Sequence, residues 1–262
     1  MEVSLCLNDM SSFYFDKIRN YFIKNLSCLD KLSVIFSFVL ILLSLVVYYI
    51  NYKYTHYLSL ENPPLITNFI LICLALVLLS FSLGLFGAFP KIGLMFKLIS
   101  IYLIGWVAIF CAYNIQFTPF KNIDSFLYQT DLSLGLNQNN IISWVYQHHY
   151  LHYFLTIVYN SLEGQALILP ILACFIINRK DVEMFLLKFS ILNLIGCVIY
   201  YFWPTASPAS ILEHKYLLSG QISLALQFKQ IHQGVLPTVV GNGLISFPSF
   251  HVIWSTLFTF FV

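Results

Sequence analysis

A serine and a histidine two residues apart, at the head of an apolar run, are equipped for proton transfer beside a bound anion. They lie in the stretch Gly241-Asn-Gly-Leu-Ile-Ser-Phe-Pro-Ser-Phe-His251. Pro248 and Ser249 suit the first turn of a helix, where a proline forfeits no hydrogen bond and a serine caps. The first amides of such a helix lack intrahelical partners and carry the positive end of the helix dipole, a place that binds phosphate. His251 sits at that terminus, and an imidazole there can pass a proton to a leaving oxygen near neutral pH. Spacing alone leaves a plainer reading open: a helix start that merely holds a serine and a histidine.

Other side chains carry weaker signals. Glu163 stands inside an apolar stretch, and an ionisable group at membrane depth is by default a functional candidate. Its neighbours Asn160 and Gln165 offer the alternative of simple pairing. His148 and His152 are four residues apart, one helical turn, a spacing that suits zinc. No third ligand stands near them, so interfacial histidines beside tyrosines are the simpler reading, and no metal or cofactor is expected. The six cysteines form no CxxC pair and read as small apolar residues.

These residues need elements to hold them, and composition says which kind. Only 9% of the chain is charged and 59% is hydrophobic, with a mean hydropathy of +0.81. Soluble domains carry about a quarter charged residues, so this chain cannot cover a globular surface with polar groups and needs a bilayer as its partner. A net charge of +2 gives no reason to invoke nucleic acid. Crossing the hydrocarbon takes about 20 apolar residues in helix. Residues 32–50, 65–89, 98–115, 153–177 and 189–203 meet that need, the last with help from Phe185, Leu186 and Leu187 around Lys188. A sixth apolar run starts at Phe250, and the 13 residues 250–262 reach only ~20 Å at about 1.5 Å per residue. The expected fold is all-α, a polytopic transmembrane bundle of five full spans plus an incomplete sixth. Residues 119–151 and 207–233 are too polar to span and are expected at the interface. Acidic residues precede basic ones at the N-terminus, unlike a cleaved signal peptide.

Basic residues orient the bundle. Lys17, Arg19, Lys24, Lys31, Lys91, Lys97, Arg179, Lys180 and Lys188 fall on one side. Lys53, Lys121, Lys215 and Lys229 fall on the other. The N-terminus is therefore expected in the cytoplasm, and the loop 204–249 with His251 on the opposite face.

Phe247-Pro-Ser-Phe-His251 followed by Val-Ile-Trp resembles the central PSxH motif of the phosphatidic acid phosphatase type 2 superfamily. It is most similar to the branch with inositolphosphorylceramide synthases and related bacterial membrane proteins. Two further stretches resemble that branch. One runs from Pro119-Phe-Lys-Asn-Ile-Asp124 through Asp131-Leu-Ser-Leu-Gly135, ahead of a span carrying Tyr159-Asn-Ser. The other is Tyr200-Tyr-Phe-Trp-Pro-Thr-Ala-Ser-Pro208. The resemblance covers residues 119–262, so residues 1–118 read as an N-terminal segment with three spans and 119–262 as the phosphatase/phosphotransferase-like domain.

The resemblance implies a helical membrane enzyme that cuts or transfers phosphoester head groups of phospholipids or sphingolipids at the non-cytoplasmic face. It makes His251 the general acid and Ser249 a phosphate ligand. It places Lys215 and Lys229 in the loop where cations neutralise phosphate, and it implies a lipid phosphate or phosphoinositol-type substrate. The bacterial inner membrane, with the site toward the periplasm, is the expected location. The sequence departs from the family pattern in two places. Trp203, not arginine, precedes Pro204, and the later SRxxxxxHxxxD motif with the nucleophilic histidine does not follow His251. The domain thus reads as incomplete at its C-terminus, and the alternatives are a catalytically inactive truncated membrane protein or a transporter.

Overall fold

The computed structural model describes residues 26–51, 53, 71, 72, 74, 75, 78, 90–206, 208–212, 214–235, 238 and 247–260. Among them all long regular structure is helical. The helices are α1 (Cys28–Ile50), α2 (Pro90–Cys111), α3 (Asp124–Ser133), α4 (Gln138–Gln147), α5 (His149–Ile176), α6 (Arg179–Phe202), α7 (Ser219–His232) and α8 (Phe250–Thr259). A 3-10 turn, Ala112–Gln116, prolongs α2. Three helical stretches, α1, Leu94–Gln116 and α6, are long and apolar enough to cross a membrane. α5 makes a fourth if its halves, bent by 54°, form one span. Of the span expected at 65–89 only residues 71, 72, 74, 75 and 78 are described, all of them helical, and residues 1–25 lie outside the described residues.

Local chemistry explains where the sequence expectation and the structure differ. α1 starts at Cys28 rather than near Leu32 because Ser27 and Asp30 form a capping box. The Asp30 N–H donates to Ser27 Oγ at 3.1 Å, and the Ser27 N–H donates to Asp30 Oδ2 at 3.0 Å. α6 absorbs Arg179, Lys180 and Lys188 and reaches 24 residues, a full span rather than a short one. α5 bends where Pro170 lies inside it. Proline lacks the N–H that would reach the Ala166 carbonyl, and in hydrocarbon that oxygen needs another donor. The Tyr102 hydroxyl, from α2, supplies it.

Contacts at matching depths fix the directions of the helices. Along α1 and α2, Asp30 meets Lys97, Ser44 donates to the Cys111 carbonyl, and Asn51 donates to the Phe117 carbonyl at 2.6 Å. The two helices therefore run parallel. α6 runs with them, since Ser37 meets Ser190 at 3.3 Å and Thr118 donates to the Tyr201 carbonyl at 2.6 Å. α8 runs against α6: Phe250 faces Gly196, Trp254 faces Asn193 and Phe258 faces Phe185. The starts of α5 and α8 and the segments 117–148 and 203–218 thus gather at the end where α1 and α6 finish.

An aromatic core joins α2, α6 and α8. Trp106 lies 5.1 Å from Trp254, and Tyr102 lies 5.2 Å from Phe189, centroid to centroid. At the opposite end a buried ion pair ties α1 to α2, with Lys97 Nζ 2.6 Å from Asp30 Oδ2. Arg179, at the start of α6, reaches the same carboxylate at 4.0 Å and also pairs with Glu183.

Candidate functional site

Ser249 caps α8, and the Val252 N–H donates to its hydroxyl at 3.5 Å. That length is at the outer edge of a hydrogen bond, so the serine oxygen is only loosely engaged. Pro248 stands one residue outside the helix rather than within its first turn, after a cis peptide. His251, half-buried on the first turn, stacks flat on Tyr159 of α5. The ring centroids are 4.3 Å apart and the planes 3° from parallel. An imidazole held on an aromatic face has its ring plane set, and an imidazolium there gains from the π cloud.

What holds α8 in place is buried one helical face away. Phe250 is 5% exposed and stacks on Trp254 at 5.4 Å. The Trp254 indole N–H donates to Asn193 Oδ1 at 3.1 Å, and the Asn193 amide donates to the Phe189 carbonyl at 2.7 Å. Gly196 gives Phe250 its room, since a Cβ there would lie 2.5 Å from Phe250 Cε1.

Beside this helix start lies a cleft of about 210 Å³ between α4, α5, the 216–218 segment and the head of α7. Tyr159 lines it and also stacks on His251. Apolar Val145, Leu155, Leu217 and Leu218 form much of the wall. His152, Thr156, Tyr216 and Gln221 add polar atoms to it. The Leu218 N–H donates to Gln221 Oε1 at 3.0 Å, which starts α7 and holds that side chain at the wall.

A third device secures the segment that enters the loop. Asp124, at the start of α3, accepts from the Ala206 N–H at 2.7 Å and from Ser210 Oγ at 3.3 Å. The Ile123 N–H donates to the Pro204 carbonyl at 3.0 Å. Gln227 of α7 donates to Gln116 at 3.3 Å, both side chains being buried. Segments 117–124 and 203–212 and helix α7 are thereby tied into one cap over the end of the bundle.

The expected site residues fare differently. Ser249 and His251 share one helix start. Lys215 lies near the cleft, its Nζ 4.6 Å from the ring centroid of Tyr216, which lines the wall. Lys229 is exposed on α7, whose buried face carries Ala225, Phe228 and Ile231, and no described contact joins it to His251. Glu163 follows Tyr159 by one turn of α5, and its side chain lies outside the described residues. Gln165 donates to Ser161 at 2.8 Å. His148 and His152 rest on different partners, Trp144 at 4.4 Å and Tyr146 at 5.7 Å. Among the described residues no three His, Cys, Asp or Glu side chains form a metal-binding group. The roles of Asn193 and Gly196 escaped the sequence reading. A polar residue inside the α6 span was the one available signal for the first. A glycine in an apolar run gave none for the second.

The arrangement is that of a helical membrane protein with a capped helix start, a serine and a stacked histidine gathered at one end. The model of the PAP2 superfamily matches residues 125–262, more than half of the chain, and the chain belongs to that superfamily. Membership supports a phosphatase-type membrane protein. No curated protein and no solved structure matches the chain.

Proposed function

We propose that this protein is a membrane-embedded lipid phosphatase or phosphotransferase in which His251 is the general acid and Ser249 a phosphate ligand. The observation that carries the reading is the flat stack of His251 on Tyr159 at the head of α8, beside a serine whose hydroxyl is loosely engaged. The phosphate oxygens of a lipid head group meet the first amides of α8 and the Ser249 hydroxyl. His251 passes a proton to the leaving oxygen, and water or an acceptor hydroxyl takes the phosphoryl group. Lys215, near the cleft, neutralises phosphate charge, with Lys229 and Glu163 as further supporting candidates. No residue of this chain is assigned the nucleophile's role.

The finer reading places the protein in the inositolphosphotransferase-like branch, with a phosphoinositol-type or lipid phosphate substrate. The N-terminus is cytoplasmic and the site faces outward from a bacterial inner membrane, as the distribution of lysine and arginine favours. The bundle has five full spans and a sixth that begins with α8. Membranes containing the protein are assayed for phosphate release from a phosphatidic acid vesicle. Release that disappears in His251→Ala is expected. Equal rates in wild type and His251→Ala overturn the assignment, and no release from either points to an inactive relative.

A further inference from the structure

We infer that the buried base of the cap binds a single monovalent metal cation, with the carboxylate of Asp124 and the hydroxyls of Tyr200 and Thr205 as its oxygen ligands. The inference does not depend on the phosphoester reading of His251. Three observations carry it. First, Asp124 is a buried carboxylate, 9% exposed, whose described partners are neutral. The Ala206 N–H and Ser210 Oγ both donate to Oδ2. Among the described residues nothing donates to Oδ1, and no lysine, arginine or histidine pairs with the carboxylate. Second, the hydroxyls of Tyr200 and Thr205, residues 0% and 2% exposed, have no hydrogen-bond partner among the described residues. Third, the fold brings the three together. Thr205 stands between Pro204, whose carbonyl accepts from the Ile123 N–H at 3.0 Å, and Ala206, whose N–H donates to Asp124 at 2.7 Å. Tyr200, on the last turn of α6, lies within electrostatic reach of the Asp124 charge. Its ring packs on Phe228 of α7, with centroids 6.0 Å apart.

Charge and ligand chemistry choose the occupant. A buried charge is normally paired or bound to a metal, and a buried hydroxyl normally has a partner. One cation meets both needs, because carboxylate and hydroxyl oxygens all present lone pairs. Ligands that are all oxygen select a hard ion over zinc or copper. The dipole of α3 supplies only about half a charge at Asp124. One carboxylate neutralises one positive charge, whereas a divalent ion would leave an excess charge buried. Water would satisfy the hydroxyls but leave Asp124 without a counter-ion. The bound ion joins the end of α6, the 203–206 segment and the start of α3 at one point, and so fixes the cap.

The test unfolds the full chain in nanodiscs by heat, in sodium, potassium, calcium or choline chloride at one ionic strength. The midpoint is expected to rise with sodium or potassium concentration and not with choline, as a ligand of the native state requires. Asp124→Asn should abolish the response. Tyr200→Phe and Thr205→Val each remove a hydroxyl and should weaken the apparent ion affinity about tenfold, which keeps the test open if Asp124→Asn does not fold. Equal midpoints in all four salts overturn the site, and water is then the partner of the hydroxyls. A response that survives Asp124→Asn, or that neither hydroxyl variant weakens, overturns it too, because the ion then binds elsewhere. A response to calcium alone overturns the monovalent assignment.

Discussion

Replacing Gly196 by alanine tests whether the seat of α8 governs the site. A Cβ at that position lies 2.5 Å from Phe250 Cε1, whereas carbons in contact rest about 3.5–4.0 Å apart. The ring must therefore retreat by about 1 Å. It has little freedom, since Phe250 is 5% exposed, stacks on Trp254, and Trp254 is pinned by Asn193 and packed against Trp106. The displacement is passed to α8 itself, and His251 is the next residue along. Overpacking of this kind costs about 1–3 kcal/mol, and a 1 Å misplacement of a reacting group costs about a hundredfold in rate. Thermal unfolding and phosphate release should register both losses. Phe250→Leu shortens the offending ring, so the double variant Gly196→Ala/Phe250→Leu should recover much of what Gly196→Ala loses, a coupling that a double-mutant cycle measures. Losses that simply add, or a Gly196→Ala protein as stable and active as wild type, would refute the reasoning.

Tyr159→Phe keeps the ring under His251 and should keep activity. Tyr159→Leu removes an aromatic pair worth roughly 0.5–1.5 kcal/mol and should lower turnover about ten- to a hundredfold; equal rates for the two variants contradict the positioning role. Asp30→Ala takes away the buried carboxylate that Lys97 contacts and should destabilise the bundle by about 3–5 kcal/mol, whereas Asp30→Leu/Lys97→Met should restore most of it; unfolding midpoints decide. Asp124→Asn weakens a charge-assisted bond to the Ala206 N–H and should cost roughly 1.5–3 kcal/mol, read as faster proteolysis within 203–212.

Hydropathy made the architecture legible, because a helix that crosses lipid must be apolar along its whole length. The expected spans at 32–50, 98–115 and 153–177 match α1, the Leu94–Gln116 stretch and α5 to within a few residues. Their edges were less legible, since capping and lysine-bearing turns extend helices past the apolar run. The head of α8 was legible for a different reason: a cap is local, and Ser249 needs only its own neighbours to act. The partner of His251 was not. Tyr159 lies 92 residues away in sequence, and no periodicity pairs the two; their meeting depends on how α5 and α8 pack. Gly196 was hidden for the same cause, because its value lies in a ring contributed by another helix.

That packing has to be specified without the force that orders soluble cores, since lipid is as apolar as leucine. Small residues and polar contacts are what remain, and this chain places them at three depths. Asp30 with Lys97 fixes α1 against α2 at one end. At mid-depth, Tyr102 meets the Ala166 carbonyl freed by Pro170, setting α2 against α5, and Trp254 meets Asn193, setting α8 against α6. Asp124 with Ala206 closes the far end. Each link joins a different pair of elements, so sliding α1, α2, α5, α6 or α8 by a turn breaks at least one of them. α5 and α8 are thus held in register through α2 and α6, whose aromatic side chains meet in the core. The short apolar α8 owes its place, and His251 its flat seat on Tyr159, to polar side chains far from the candidate chemistry.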